Sequence, residues 1–232
     1  MKINGVNINS YGATRLGVDL QNYKYKTEYV LLPGSLTLVE VSTTEELKSI
    51  KVDLLFKGNN RDEILDNISR FMLLLKGELI ISLSGYSTLF KVYLDNDSIE
   101  KKRNKRRCKL SLEFKGYALK NEVVEVLNRI SSKVINMTGT QITPAIVEVT
   151  PTSDLIDIRL EGLSDDPIII KNLTANKKII IDGELQKVTV DSKNKFKDTD
   201  MWEFPRLNPG KNTIKVSRSN CDISIKYKPR YI

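Results

Sequence analysis

Alternation of apolar and polar residues with a period of two runs through most of this chain, and it constrains the fold more than any other feature. In Cys108-Lys-Leu-Ser-Leu-Glu-Phe114 the apolar set is Cys108, Leu110, Leu112 and Phe114, against Lys109, Ser111 and Glu113. From Asp154 to Glu161 the set is Ile156, Ile158 and Leu160, against Asp157, Arg159 and Glu161. Successive side chains of a strand point to opposite faces, so this pattern predicts strands with one face on a core and one in water, the habit of antiparallel sheets. Further strands are expected at Glu78–Leu83, Leu89–Leu94, Ala145–Thr150, Lys178–Asp182, Gln186–Asp191, Thr213–Ser217 and Asp222–Tyr227. Short strands at this spacing, without alternating helices, argue for sandwiches or barrels. Trp202 and Phe204 alternate across Glu203, so both can enter a sandwich core.

One segment breaks the pattern. Over residues 61–76, Ile64, Leu65, Ile68, Phe71, Met72 and Leu75 recur at helical spacing. Asn60 is placed to cap this helix, Glu63 to complete a box-like pair, and Lys76 and Gly77 to mark its end. Its apolar stripe is expected on the chain's own sheet. The region Glu122–Ile135 carries apolar residues at 123, 124, 126, 127, 130 and 134, which fit helix and strand alike. The turn formers of Gly139-Thr-Gln-Ile-Thr-Pro144 suggest a boundary, giving domains 1–138 and 139–232. The fold class expected is mainly β. Its α+β N-terminal part is a sandwich-like domain with one amphipathic helix and a protruding hairpin; the C-terminal domain is all-β and large enough for a second small sandwich.

Composition narrows the chemistry. The 232 residues include no histidine, which removes Ser-His-Asp and Cys-His machinery and His-ligated zinc. Cys108 and Cys221 form no CxxC pair and read as buried structural thiols. There is no GxxxxGK[ST] and no GxGxxG. The paired acids Asp165-Asp166 and Asp198 with Asp200 lie in turn-like stretches, where solvated turn carboxylates are expected. We therefore expect no enzyme: no catalytic residue, no cofactor and no metal. No apolar run approaches the roughly 18–20 residues of a membrane span, and MKINGVNINS lacks a signal-peptide core, so a protein made in a cytoplasm is expected. The net charge of +8 is local. Lys101, Lys102, Arg103, Lys105, Arg106, Arg107 and Lys109 account for seven basic residues, and the rest of the chain has 30 basic against 29 acidic side chains.

The C-terminal motifs carry a resemblance. Val134-Ile-Asn-Met-Thr-Gly-Thr140 leads into Thr143-Pro-Ala-Ile-Val-Glu-Val149. Then come Ile179-Ile-Ile-Asp-Gly183, Trp202-Glu-Phe-Pro-Arg-Leu-Asn-Pro-Gly-Lys-Asn-Thr-Ile214 and Ile223-Ser-Ile-Lys-Tyr-Lys-Pro-Arg-Tyr231. In order and spacing this resembles the phage distal tail proteins of the siphovirus tail-component family. The N-terminal half follows more loosely. Ile3-Asn-Gly-Val-Asn-Ile8 looks like the opening hairpin, Leu31-Leu-Pro-Gly-Ser35 the belt hairpin, and Leu110-Ser-Leu-Glu-Phe114 the strand closing the first sandwich. Where many members continue with Asp-Pro-aromatic, this chain has Gly116-Tyr117-Ala118.

The resemblance implies a galectin-like C-terminal domain and a structural role in a tail tip or baseplate. Members form a ring, usually a homohexamer, that joins the tail tube protein to the tail-tip hub protein and can carry receptor-binding proteins. The setting implied is a virion, a prophage or tail-like particle, with assembly in the host cytoplasm. A closed ring needs a heterologous interface. Leu31, Leu32, Pro33, Gly34, Leu36 and Leu38, in the apolar hairpin around Pro33-Gly34, are the candidate contact, with the intrachain core as the competing place for them. The alternative function is a carbohydrate-binding module contacting the host cell surface, reading sugars by an exposed aromatic. Lys101, Lys102, Arg103, Lys105, Arg106 and Arg107 are a candidate electrostatic contact; without interleaved aromatics or a known binding fold, specific nucleic-acid binding is not expected.

Overall fold

The structure, a computed structural model, describes residues 1–22, 24–101 and 106–231. They form two compact units, residues 1–119 and 120–231, and each is treated by itself.

The N-terminal unit contains β1 (Lys2–Ile3), β2 (Val6–Asn7), β3 (Ala13–Leu20), β4 (Tyr25–Val30), β5 (Val39–Glu45) and β6 (Lys48–Lys57). Helix α1 (Arg61–Leu74) follows, then β7 (Leu79–Ser82), β8 (Leu89–Lys101) and β9 (Arg107–Leu119). Seven strands line up as β2-β1-β7-β8-β9-β6-β3, while β4 and β5 pair only with each other. The alternation expected at β9 is met by its partner: Cys108, Leu110, Leu112 and Phe114 lie opposite Phe56, Leu54, Val52 and Ile50, and all eight are buried. A one-residue slip would turn both rows to water, so this apolar register is strongly specified.

Helix α1 lays its stripe on this sheet, as expected. Ile64, Ile68, Phe71 and Leu75 are buried, and the Phe71 ring meets those of Phe56 and Tyr11 edge-on, each at 5.6 Å. Leu65, expected in the stripe, is exposed. The Asn60 side chain accepts from Glu63 N at 2.8 Å, the cap expected, but Glu63 reaches back to Asn59 N rather than to the cap residue. The last helical residue is Leu74, two before Lys76, and Gly77 takes up the positive φ of +83° in the exit turn.

The C-terminal unit contains β10 (Val123–Asn128), β11 (Ser132–Met137), β12 (Thr143–Pro151), β13 (Leu155–Glu161), β14 (Ile168–Leu173) and β15 (Ile179–Asp182). It continues with β16 (Lys187–Val190), β17 (Lys193–Asn194), β18 (Thr199–Asp200), β19 (Arg206–Leu207), β20 (Gly210–Val216) and β21 (Cys221–Tyr227). One sheet runs β10-β21-β12-β15-β16-β17, with β19 added on β12; the other runs β11-β20-β13-β14-β18. A single apolar cluster draws on both sheets, including Val147, Ile181 and Ile225 from one and Ile135, Ile158, Ile170 and Ile214 from the other. This is a two-layer sandwich.

One region left open is resolved here, and three expectations are corrected. The ambiguous region Glu122–Ile135 is two strands, β10 and β11, joined at Arg129, whose φ is +56°. Because those strands pair with β21 and β20, the units part at 119/120 rather than 138/139, and Gly139–Pro144 is a turn inside the second unit. Trp202 is no core residue: it is 87% exposed, while Phe204 is half-buried and stacks on Phe196 at 6.0 Å. Its segment, between Met201 and Pro205, is not a strand, so strand alternation does not govern it. Ile156 is likewise exposed, and Leu155 takes the buried place at the start of β13.

Candidate assembly surfaces

Pro33 and Gly34 shape the tip of the β4–β5 hairpin. Ser35 N donates to Leu32 O at 2.9 Å, and Gly34 has φ +81°, so Leu32-Pro33-Gly34-Ser35 is a turn with Pro and Gly at its two central positions. The Ser35 hydroxyl donates to Thr37 O and accepts from Thr37 N, stiffening the return. Six residue pairs tie the arms, from Tyr25 opposite Glu45 to Val30 opposite Val39, with a bulge between Glu28 and Tyr29. A bulge adds local twist.

None of this hairpin's apolar side chains is buried in its own unit. Leu31 and Leu38 are 61% and 62% exposed, Leu36 is wholly exposed, and Tyr25, Tyr29, Val30, Leu32, Val39 and Val41 are exposed too. The intrachain core therefore does not claim the candidate interface residues Leu31, Leu32, Leu36 and Leu38. A two-stranded hairpin is marginal alone in water. Each Leu covered by a partner would contribute about 1.5–3 kcal/mol.

The basic stretch falls where β8 returns as β9. Lys101 ends β8 opposite Cys108, and Arg107 starts β9 opposite Lys57. Arg106 and Arg107 are exposed, and Arg106 O accepts from Gly58 N. Lys102, Arg103 and Lys105 lie outside the described residues. Lys109 is committed elsewhere. Its ammonium sits 2.9 Å from Asp53, which also accepts from the Ser111 hydroxyl at 2.6 Å. The Ser111 and Lys109 donors hold the Asp53 carboxyl below its usual range.

Three of the four acids singled out in the sequence pair with cations. Asp165 pairs with Arg206 at 3.0 Å, Asp198 with Lys195 at 2.7 Å, and Asp200 with Lys171 at 3.9 Å. The Lys195 and Asn172 donors pull the Asp198 carboxyl down, the opposite of what a general acid requires. Cys108 and Cys221 are buried, and burial pushes the Cys221 thiol up, away from nucleophilic character. Among the described residues, no group of three or more Cys, Asp or Glu could hold a metal ion.

The C-terminal motifs interlock as parts of one scaffold. Arg230 O accepts from Thr140 N and Gln141 N, and Arg230 N donates to the Thr143 hydroxyl. A side chain on Gly139 would stand 2.5 Å from Arg230 O, so the Gly-Thr motif and the closing Pro-Arg-Tyr motif require each other. Tyr231 completes the clasp through the Thr138 hydroxyl at 3.0 Å. Asp182 turns the chain by accepting from Glu184 N and Leu185 N, and Gly183 fits where a Cβ would meet Pro205 O at 2.2 Å and Ala145 O at 2.6 Å. Buried Asn212 accepts from Asn208 N and donates to Asn208 O and Gly210 O, holding the Pro209-Gly210 turn closed.

Residues 138–231 match the family model described as siphovirus-type tail component, C-terminal domain. The fold extends the likeness to the whole length. It matches the crystal structure of the SPP1 Dit protein (gp 19.1), described as a paradigm of the hub adsorption apparatus in phages infecting Gram-positive bacteria. The TM-score is 0.81 at 11% identity, covering 99% of this chain and 98% of that one. Structures of the phage P2 baseplate in its activated conformation, with calcium and with strontium, match at TM-scores of 0.54 and 0.55, each at 12% identity and covering 97% and 94% of the two chains. No curated protein matches the sequence.

Proposed function

We propose that this chain is a structural component of a phage tail tip or baseplate, or of a related tail-like particle. It forms a ring hub joining the tail tube to the tail-tip and receptor-binding apparatus. The observation that carries this reading is the tail-component C-terminal domain joined to a fold shared end to end with SPP1 Dit. The ring reading rests on the exposed β4–β5 hairpin, an arm with apolar surface and no cover in its own unit, and the number of six copies on the resemblance to the distal tail proteins alone. Leu31, Leu32, Leu36 and Leu38 would meet a different patch on the next copy, the head-to-tail contact a closed ring requires. The tube protein, hub protein and receptor-binding proteins are its neighbours, the virion is its destination and the host cytoplasm its place of assembly. A galectin-like sandwich would form its outer part. Its work is association, and the cation-pinned acids support a chain without catalysis.

Light scattering behind a sizing column tests the ring. Six copies of a 26.4 kDa chain give a species of about 160 kDa. A monomer at every concentration, persisting when purified tail tube protein is added, would count against a ring-forming hub.

A further inference from the structure

The one tryptophan of the chain stands in water. Trp202 is 87% exposed and borders a groove of about 640 Å³ in the C-terminal unit. Leaving an indole uncovered forgoes the largest single apolar burial a side chain can make, at roughly 25 cal/mol per Å². Phe204, two residues on, lines the same groove and is braced from behind by the Phe196 ring at 6.0 Å. The aromatic platform therefore has one free member and one fixed.

Polar groups surround it. Glu184 and Gln186 come from the turn after β15, Glu203 and Arg206 from the platform segment, and Arg230 from the closing motif. Arg206 is locked: it donates to Glu203 at 2.9 Å and pairs with Asp165 at 3.0 Å, and its buried Nε has no hydrogen-bond partner among the described residues. Asp165 N in turn donates to the second Glu203 oxygen at 3.3 Å. The lining holds two carboxylates against two guanidiniums, so an ion of either sign gains no net field. A ligand that fits has a flat apolar face for the indole and a rim of hydroxyls for carboxylate, amide and guanidinium. That is the chemistry of a pyranose ring. A protein anchor residue would need an enclosed apolar pocket, and these walls would oppose it with charge.

We infer that the Trp202 groove binds a neutral oligosaccharide, its sugar ring stacked on the indole and its hydroxyls bonded by the side chains around Arg206. This site is separate from the hairpin and stands whether or not the chain forms a ring. The test is isothermal calorimetry of the whole chain with neutral hexasaccharides of glucose, galactose, mannose and N-acetylglucosamine. Trp202 emission gives a parallel readout, because no other tryptophan contributes. The expected result is saturable binding of at least one of them, weakened about ten-fold or more in Trp202→Ala and partly restored in Trp202→Phe. Both variants should keep the wild-type melting temperature, since so exposed a side chain supports little packing. No saturable response to any of the four overturns the proposal, as does binding that Trp202→Ala leaves unchanged. A tail protein bound through Trp202 with no saccharide response would also overturn it, and would assign the groove to protein docking.

Discussion

Two single positions show how far local chemistry is set by distant chain. Gly116 lies in the body of β9, opposite Val92 and Lys48. A Cβ on it would fall 2.0 Å from Lys91 O and 2.7 Å from Val92 Cα. Gly116→Ala must push β8 from β9 and should cost about 1–3 kcal/mol or more in urea unfolding. Gly17→Ala, where no atom lies within 4 Å, should change it by less than about 0.5 kcal/mol. Equal midpoints for the two variants would show that the strands yield freely. Nothing around Gly116 in the sequence announces this contact, because its cause is a backbone 25 residues away. Glu148 is the second case. Burial opposes its charge, but the Lys226 and Lys178 ammoniums bond it and hold its pKa below the ordinary value near 4.5. A lowered folded pKa gives stability that is present above the unfolded value and lost as pH falls through the folded one. Glu148→Gln should therefore cost about 1–2 kcal/mol at neutral pH, and its deficit against wild type should shrink below about pH 4. A deficit independent of pH would mean that shape, not charge, is what Glu148 supplies.

At the level of elements, legibility followed the range of the forces involved. Helix α1 was readable because its cap is local: Asn60 accepts from Glu63 N, three residues on. Asn60→Ala should lower stability by about 1 kcal/mol, and Asn60→Asp should keep it. Thermal melts of both variants check this. The paired strands β10 and β11 were not readable, since apolar residues at 123, 124, 126 and 127 satisfy both periods, and their partners β21 and β20 lie some 80–100 residues on. The β4–β5 hairpin was legible as an excess of apolar side chains around Pro33-Gly34, but sequence could not say whether the core absorbs them. Their exposure makes a sharp experiment possible. Leu32→Asp should leave melting unchanged, because the side chain makes no buried contact in its unit, while abolishing the oligomer on a sizing column. An oligomer that survives Leu32→Asp and Leu36→Asp together would remove the hairpin from the interface.

For the chain as a whole, the division into units is what a sequence reads least well, because turn formers mark every reversal and not only boundaries. Gly139–Pro144 reads as a boundary in the sequence for that reason. The hydrogen-bond ladders decide otherwise. Residues Val123–Asn128 pair with Asp222–Tyr227, and Ser132–Met137 pair with Gly210–Lys215. Leu127, Ile135 and Met137 also enter the sandwich core. A fragment starting at residue 139 would lose one strand from each sheet and three core side chains. It would also bare the edges of β21 and β20, which invites aggregation. A fragment starting at residue 120 keeps both ladders and the clasp between Thr140 and Arg230. We therefore expect residues 120–231 to give a dispersed amide spectrum and a cooperative melt, and residues 139–231 to be insoluble or molten. Cooperative folding of the shorter fragment would mean that β10 and β11 are accessory to the sandwich, and would return the functional boundary to the turn at 139.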